Sequence, residues 1–219
     1  MEKVILCFGD SNTWGYDPIT SSDSPFPKRH PWPKRWTGVC SEVLGEGFRV
    51  IEEGQNGRTT VHEDPLMPNT NGQVYLPSCL ESHKPIDLVV VMLGTNDLKA
   101  KFNLSAKEIA AGAGLLVGLI QQSVAGLEGQ APRVLLVTPP LVEDPSKLPN
   151  LAEKFAGSFE KSRAFPEAYQ EVASQLRCSF LNIQPAIKTS QVDGLHLEEG
   201  EHLKLGQLVA DAIQREFSA

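Results

Sequence analysis

The stretch Ile86-Asp87-Leu88-Val89-Val90-Val91-Met92-Leu93-Gly94-Thr95-Asn96-Asp97 sets the reading of the whole chain. Its apolar core, 88–93, is the longest such run in the sequence, far short of the ~20 residues that a membrane helix requires. It stops at a glycine and polar residues, as a strand buried on both faces does. Working outward, the same pattern recurs at 3–8, 48–52, 133–137 and 178–182, which with 86–93 makes five candidate strands. Helical patterns separate them. Ser105 with Glu108 three residues on forms a capping box, followed by Ile109, Ala113, Leu116, Val117 and Ile120 along one face. Leu205, Leu208, Val209, Ala212, Ile213 and Phe217 make a second stripe that predicts a helix closing the chain. A weaker helical pattern covers 151–176 and is interrupted at Pro166. Strands alternating with helices, too far apart for hairpins, imply right-handed crossovers. The expected fold class is α/β, a three-layer α/β/α sandwich with a five-stranded parallel sheet. In such sheets the functional cleft lies beyond the carboxyl ends of the strands.

With 219 residues, 41% of them hydrophobic, and no linker, repeat or low-complexity tract, residues 1–219 read as one domain. The 20 basic residues against 27 acidic ones give a net charge of −7, which argues against nucleic-acid and anionic-membrane partners. The first ten residues carry no secretion-signal core and read as the first strand. Cys7, Cys40, Cys79 and Cys178 are scattered without a CxxC pair, so the expectation is reduced thiols in a cytoplasm, with no disulfide framework and no metal. One segment is irregular. Residues 18–35 hold five prolines with Lys28, Arg29, Lys34, Arg35 and Trp32, and read as a surface arm near the cleft or at a subunit contact.

Four segments follow the strands or precede the last helix. Gly9-Asp10-Ser11-Asn12-Thr13-Trp14-Gly15 follows the first strand; its glycines allow a tight turn that presents the Ser11 hydroxyl, although a plain helix cap reads the same way. It is neither a GxSxG elbow nor a GxGxxG dinucleotide loop, which counts against a nucleotide-binding protein. Gly54-Gln55-Asn56-Gly57-Arg58-Thr59-Thr60 follows the second strand and either forms an Asn-Gly turn or aims an N–H at a reacting oxygen. Gly94-Thr95-Asn96-Asp97 is another turn, or a side-chain amide donor in the same cleft. Asp193-Gly194-Leu195-His196 lets one loop carry a base and the carboxylate that orients it. An unassisted serine hydroxyl is a poor nucleophile at pH 7, so acyl-bond hydrolysis needs all of these parts.

Together GDSNTWG, GQNGRTT, GTND and DGLH resemble, in order and spacing, the four blocks of the SGNH (GDSL-type) hydrolase superfamily. ILCFGDSNTWG, RWTGV, VIEEG with RTT, and YLPSCLESHKPIDLVVVMLGTND are similar to its arylesterase and acyltransferase (perhydrolase) subgroup. The resemblance implies a flavodoxin-like sheet, no cofactor, frequent homo-oligomers and a small-molecule ester as substrate. It implies Ser11 as nucleophile, His196 as base, Asp193 as its orienter, and an oxyanion hole from the Ser11 and Gly57 amides and the Asn96 side chain. Position 12 is Asn where the motif's name has Leu, and Tyr16 stands where the subgroup has Trp. Asn12, Trp14, Tyr16 and Leu195 are therefore expected to line the substrate pocket.

The expected function is a serine esterase for small, short-chain aryl or alkyl esters, with acyl transfer to alcohols or peroxide; the alternative is a carbohydrate O-deacetylase. A silent scaffold that keeps the fold is the reading from outside enzymology. His30, His62, His83 and His202 read as surface histidines, His202 on the polar side of the last helix.

Overall fold

Successive side chains of a strand point to opposite faces, so a run that is apolar at every position needs cover on both sides. The computed structural model, which describes residues 2–148 and 151–218, meets that need. Its sheet consists of β1 (Lys3–Gly9), β2 (Phe48–Gly54), β3 (Leu88–Met92), β4 (Arg133–Val137) and β5 (Ser179–Leu181), all parallel, in the order β2-β1-β3-β4-β5. The helices are α1 (Ser11–Trp14), α2 (Pro18–Ser21), α3 (Trp36–Leu44), α4 (Gly72–His83), α5 (Ala106–Gln121), α6 (Ser158–Arg163), α7 (Phe165–Leu176) and α8 (Glu199–Ser218).

Alternation sorts the core into two layers. Val4, Leu6, Phe8, Val89, Val91, Val134 and Leu136 face α4, α5 and α7. Ile5, Cys7, Leu88, Val90, Met92, Leu135 and Val137 face α3 and α8. The expected three-layer α/β sandwich is what forms. β1 pairs with β2 on one side and with β3 on the other, so the chain changes direction across the sheet at β1. The crevice beyond the ends of β1 and β3 is thus the switch point at which ligands bind in open α/β sheets.

Local expectations fare unevenly. The capping box at the start of α5 is present: the Ser105 hydroxyl accepts from the Glu108 N–H at 3.3 Å, and Glu108 accepts from the Ser105 N–H at 2.8 Å. The 151–176 pattern resolves into turns, α6 and α7, with Pro166 in the first turn of α7, where a missing N–H costs nothing. Helix α4, with Pro77 inside it, escapes a periodicity reading. Residues 18–35, expected as a surface arm near the cleft or at a subunit contact, are largely irregular and exposed, with α2 at their start. Asp17 caps α2 by accepting from the Ile19 and Thr20 N–H groups, and backbone bonds Asp17 N–H to Lys28 O (3.0 Å) and His30 N–H to Gly15 O (2.8 Å) tie the arm down. Glu52, at the end of β2, receives Arg29, Arg35 and the Thr37 hydroxyl together.

Two histidines read as surface residues are buried. His202 is fully enclosed; its Nδ1 accepts from the Trp36 N–H at 3.2 Å, and its ring meets that of His30 edge to face at 5.1 Å. Burial, and then the neighbouring charge of His30, push the His202 pKa down to about 3, so it is neutral in the folded protein.

Candidate active site

β1 ends at Gly9, and Asp10 caps the short α1, its Oδ1 accepting from the Asn12 N–H at 2.9 Å. That turn lifts Ser11 to the mouth of the crevice. Gly54 makes room for it: a Cβ there would lie 2.1 Å from the backbone nitrogen of Trp14. Asp10 is buried, and loss of hydration pushes its pKa up to about 6 against the lowering effects of the Asn12 N–H, His196 and Arg58.

The segment before α8 brings the distant half. His196 Nε2 stands 2.8 Å from Ser11 Oγ, and His196 Nδ1 stands 2.6 Å from Asp193 Oδ2. The other Asp193 oxygen accepts from the Leu195 and His196 backbone N–H groups, each at 3.0 Å. Burial alone would raise the Asp193 pKa; the hydrogen bond and charge of His196, with those N–H groups, outweigh it and hold the carboxyl below its usual range. An ionised Asp193 fixes the proton on Nδ1 and leaves the Nε2 lone pair facing the hydroxyl. The Tyr16 ring stacks on the His196 imidazole, with centroids 4.0 Å apart.

Asn12 is not a pocket residue, contrary to expectation. Its amide is turned inward, donating from Nδ2 to Leu195 O at 3.1 Å and accepting at Oδ1 from the Leu197 N–H at 3.1 Å. It grips the backbone on either side of His196. Trp14 also misses the cavity, because the short α1 swings its ring away to pack under the Arg29 guanidinium, 5.0 Å from the ring centre.

The loops after β2 and β3 meet the same point. Asn96 Nδ2 donates one proton to Arg58 O at 3.2 Å, and the amide holds a second. Gly57 has φ +81°, and a Cβ on it would lie 2.3 Å from Met67 Cε. Two residues that the sequence reading did not single out hold these loops. Asp97, buried, accepts the Thr60 N–H on both oxygens and the Thr60 hydroxyl at 2.6 Å. Arg58, also buried, donates to Gly9 O at 2.8 Å and lies over the Phe8 ring. Both lie inside quoted motifs, but only folding reveals their partners.

A cavity of about 320 Å³ opens over Ser11, its wall including Tyr16, Gly57, Met67, Asn96, Leu195 and His196. Of the four residues expected at the substrate pocket, Tyr16 and Leu195 lie in this wall. For a metal, the only converging set among the described residues is Glu53, Cys79 and His83, outside this cavity. Glu53 already holds His83 at 2.7 Å and the Tyr75 hydroxyl at 3.1 Å, and burial pushes the Cys79 thiol up to about 12.

Hydroxyl, imidazole and carboxylate in line, with amide donors beside them at a sheet switch point, define a carboxylic ester hydrolase of the SGNH type. Residues 7–202 match the GDSL-like lipase/acylhydrolase family, and the chain belongs to it. Among solved structures, a carbohydrate acetylesterase, Est24, from Sinorhizobium meliloti is 40% identical, with 98% of this chain and 99% of that one covered and a TM-score of 0.91. An aryl esterase from M. smegmatis is 41% identical over 97% and 99% of the two chains, with a TM-score of 0.90. An arylesterase, so described provisionally, from Agrobacterium tumefaciens is 31% identical over 97% and 99%, with a TM-score of 0.85. No curated protein matches the chain. No helix among the described residues is long and apolar enough to cross a membrane.

Proposed function

We propose that this esterase cleaves small, short-chain aryl or alkyl esters through an acyl-enzyme on Ser11. The observation that carries the reading is the Ser11–His196–Asp193 line, with spacings of 2.8 and 2.6 Å, beside Gly57 and Asn96. Ser11 Oγ attacks the ester carbonyl as its proton passes to His196 Nε2. The oxyanion is held by the Ser11 and Gly57 N–H groups and the free Asn96 proton. Collapse breaks the ester C–O bond, and His196 returns the proton to the departing alcohol. Water, with His196 again as base, then releases the acid; an alcohol or peroxide in its place gives acyl transfer. Tyr16 and Leu195 wall the substrate. A cavity of about 320 Å³ suits a compact ester and not a long acyl chain.

The second reading, sugar O-deacetylation, draws on the likeness to the S. meliloti acetylesterase and on Asn56, Lys99 and Lys154 in the cavity wall. The test is fluorophosphonate labelling, expected in the native enzyme and absent in Ser11→Ala, followed by turnover of nitrophenyl acetate, nitrophenyl palmitate and acetylated sugars. Labelling that persists in Ser11→Ala removes the mechanism, and palmitate turnover equal to acetate removes the short-chain claim.

A further inference from the structure

The chain carries a net charge of −7, yet one wall of its cavity is cationic. Lys99 follows the Asn96 turn and is among the largest fully buried side chains of the molecule. Its Nζ donates to Asp64 Oδ2 at 2.9 Å and lies 3.7 Å from Met67 Sδ. The same carboxylate also receives Lys101. Lys154 lines the cavity from the opposite segment, which is fastened to the Lys99 loop by a 2.8 Å bond from the Ala100 N–H to Lys154 O. Lys99 and Lys101 thus share a single carboxylate, Asp64, while Lys154 adds a third positive charge near Lys99. Asp64 lies behind the cavity wall; among the lining residues Asp193 is the one carboxylate, and it is engaged by His196. Burial, with the nearby charges of Lys154 and Lys101, holds Lys99 below the ordinary lysine range despite its bond to Asp64.

A buried cation needs compensation, and an excess of like charges at a concave, partly dehydrated wall favours an anionic occupant. We propose that the Lys99–Lys154 wall is an anion subsite and that the enzyme prefers small esters bearing a carboxylate: half-esters of short dicarboxylic acids, or acyl esters of short hydroxy acids. Resting on the esterase reading above, this names the substrate class for the same Ser11 site. No new covalent step is involved; the carboxylate is held and the ester bond is cleaved as before.

The experiment compares kcat/KM within two pairs in a pH-stat at low salt: monomethyl succinate against methyl butyrate, and acetoxyacetate against propyl acetate. In at least one pair the anionic ester is expected to lead by about tenfold, as one ammonium at close range in an intermediate dielectric supplies. That ratio should shrink with added salt and fall towards one or below in Lys154→Glu. Lys107→Ala, at an exposed lysine outside the cavity lining, should leave the ratio in place. Neutral esters equal or preferred in both pairs, or a ratio indifferent to Lys154→Glu, overturns the anion subsite while leaving the esterase standing. If no ester turns over, the esterase reading fails instead, and calorimetric titration with succinate decides the subsite. Saturable binding weakened fivefold or more by Lys154→Glu upholds it; absent or unchanged binding overturns it.

Discussion

Replacing Asn12 by Ala removes one side chain and cuts two bonds, those to Leu195 O and from the Leu197 N–H, which bracket His196. Leu197 is fully buried, so its N–H is left without a partner at a cost of about 1–3 kcal/mol. Leu195 O is only partly buried and recovers water, which limits its loss to about 1 kcal/mol. The sum, about 2–4 kcal/mol, lowers the melting temperature of a domain this size by roughly 5–15 °C. Function should suffer separately. Slackening the loop misplaces Nε2 from Ser11 Oγ, and an error near 1 Å costs about 100-fold, so kcat should fall roughly 10- to 100-fold. Because Asn12 faces away from the cavity, KM and the ratio of acetate to butyrate ester turnover should stay as they are. The assay is steady-state kinetics on both nitrophenyl esters alongside calorimetric melting. Normal kcat with a normal melting temperature refutes the bracket, and a changed acetate-to-butyrate ratio at normal kcat would make Asn12 a pocket residue after all.

Asn96→Ala should slow turnover by about 100- to 1000-fold with the fold intact by circular dichroism, since it deletes one oxyanion donor; a normal rate removes that role. Tyr16→Phe should keep near-native activity and Tyr16→Ala should lose roughly 3- to 30-fold in kcat, because the ring face lies against the imidazole that becomes cationic in the transition state; equal kcat in both variants counts against this. His202 is held near 3 in the folded state against about 6.5 unfolded, so the unfolded chain takes up the proton first. Stability present above about pH 6.5 should therefore drain away as pH falls towards 3, by up to about 1.4 kcal/mol per unit, and urea melts of His202→Asn should show a flatter slope over that range. Parallel slopes would show that the acid sensitivity lies elsewhere.

The sheet was legible because burial on both faces writes itself as unbroken apolar runs, and β1, β3 and β4 carry that signature. Ser11 and His196 became legible through the motifs around them; spacing alone left each open to a blander reading. Asn12 was misread because its role depends on partners more than 180 residues away, which proximity to Ser11 in sequence cannot convey. Trp14 failed for a related reason: three residues along a short helix is nearly a full turn, but the αL cap at Gly15 and the Arg29 stack decide where its ring goes. His202 was within reach. It precedes Leu205 by three positions, so 202, 205, 209 and 213 form one buried stripe, and extending the periodicity by one step would have placed it inside.

The 185-residue separation between the two atoms that share a proton has a consequence for biogenesis. Ser11 sits on the first strand's turn, whereas His196 is positioned only when α8 settles against α3, where Gly206 lets the helices approach: a Cβ there would strike Trp36 O at 2.7 Å. Under the mechanism proposed above, a chain whose α8 has not docked would hold Ser11 without its base, and ester turnover would then report on that docking.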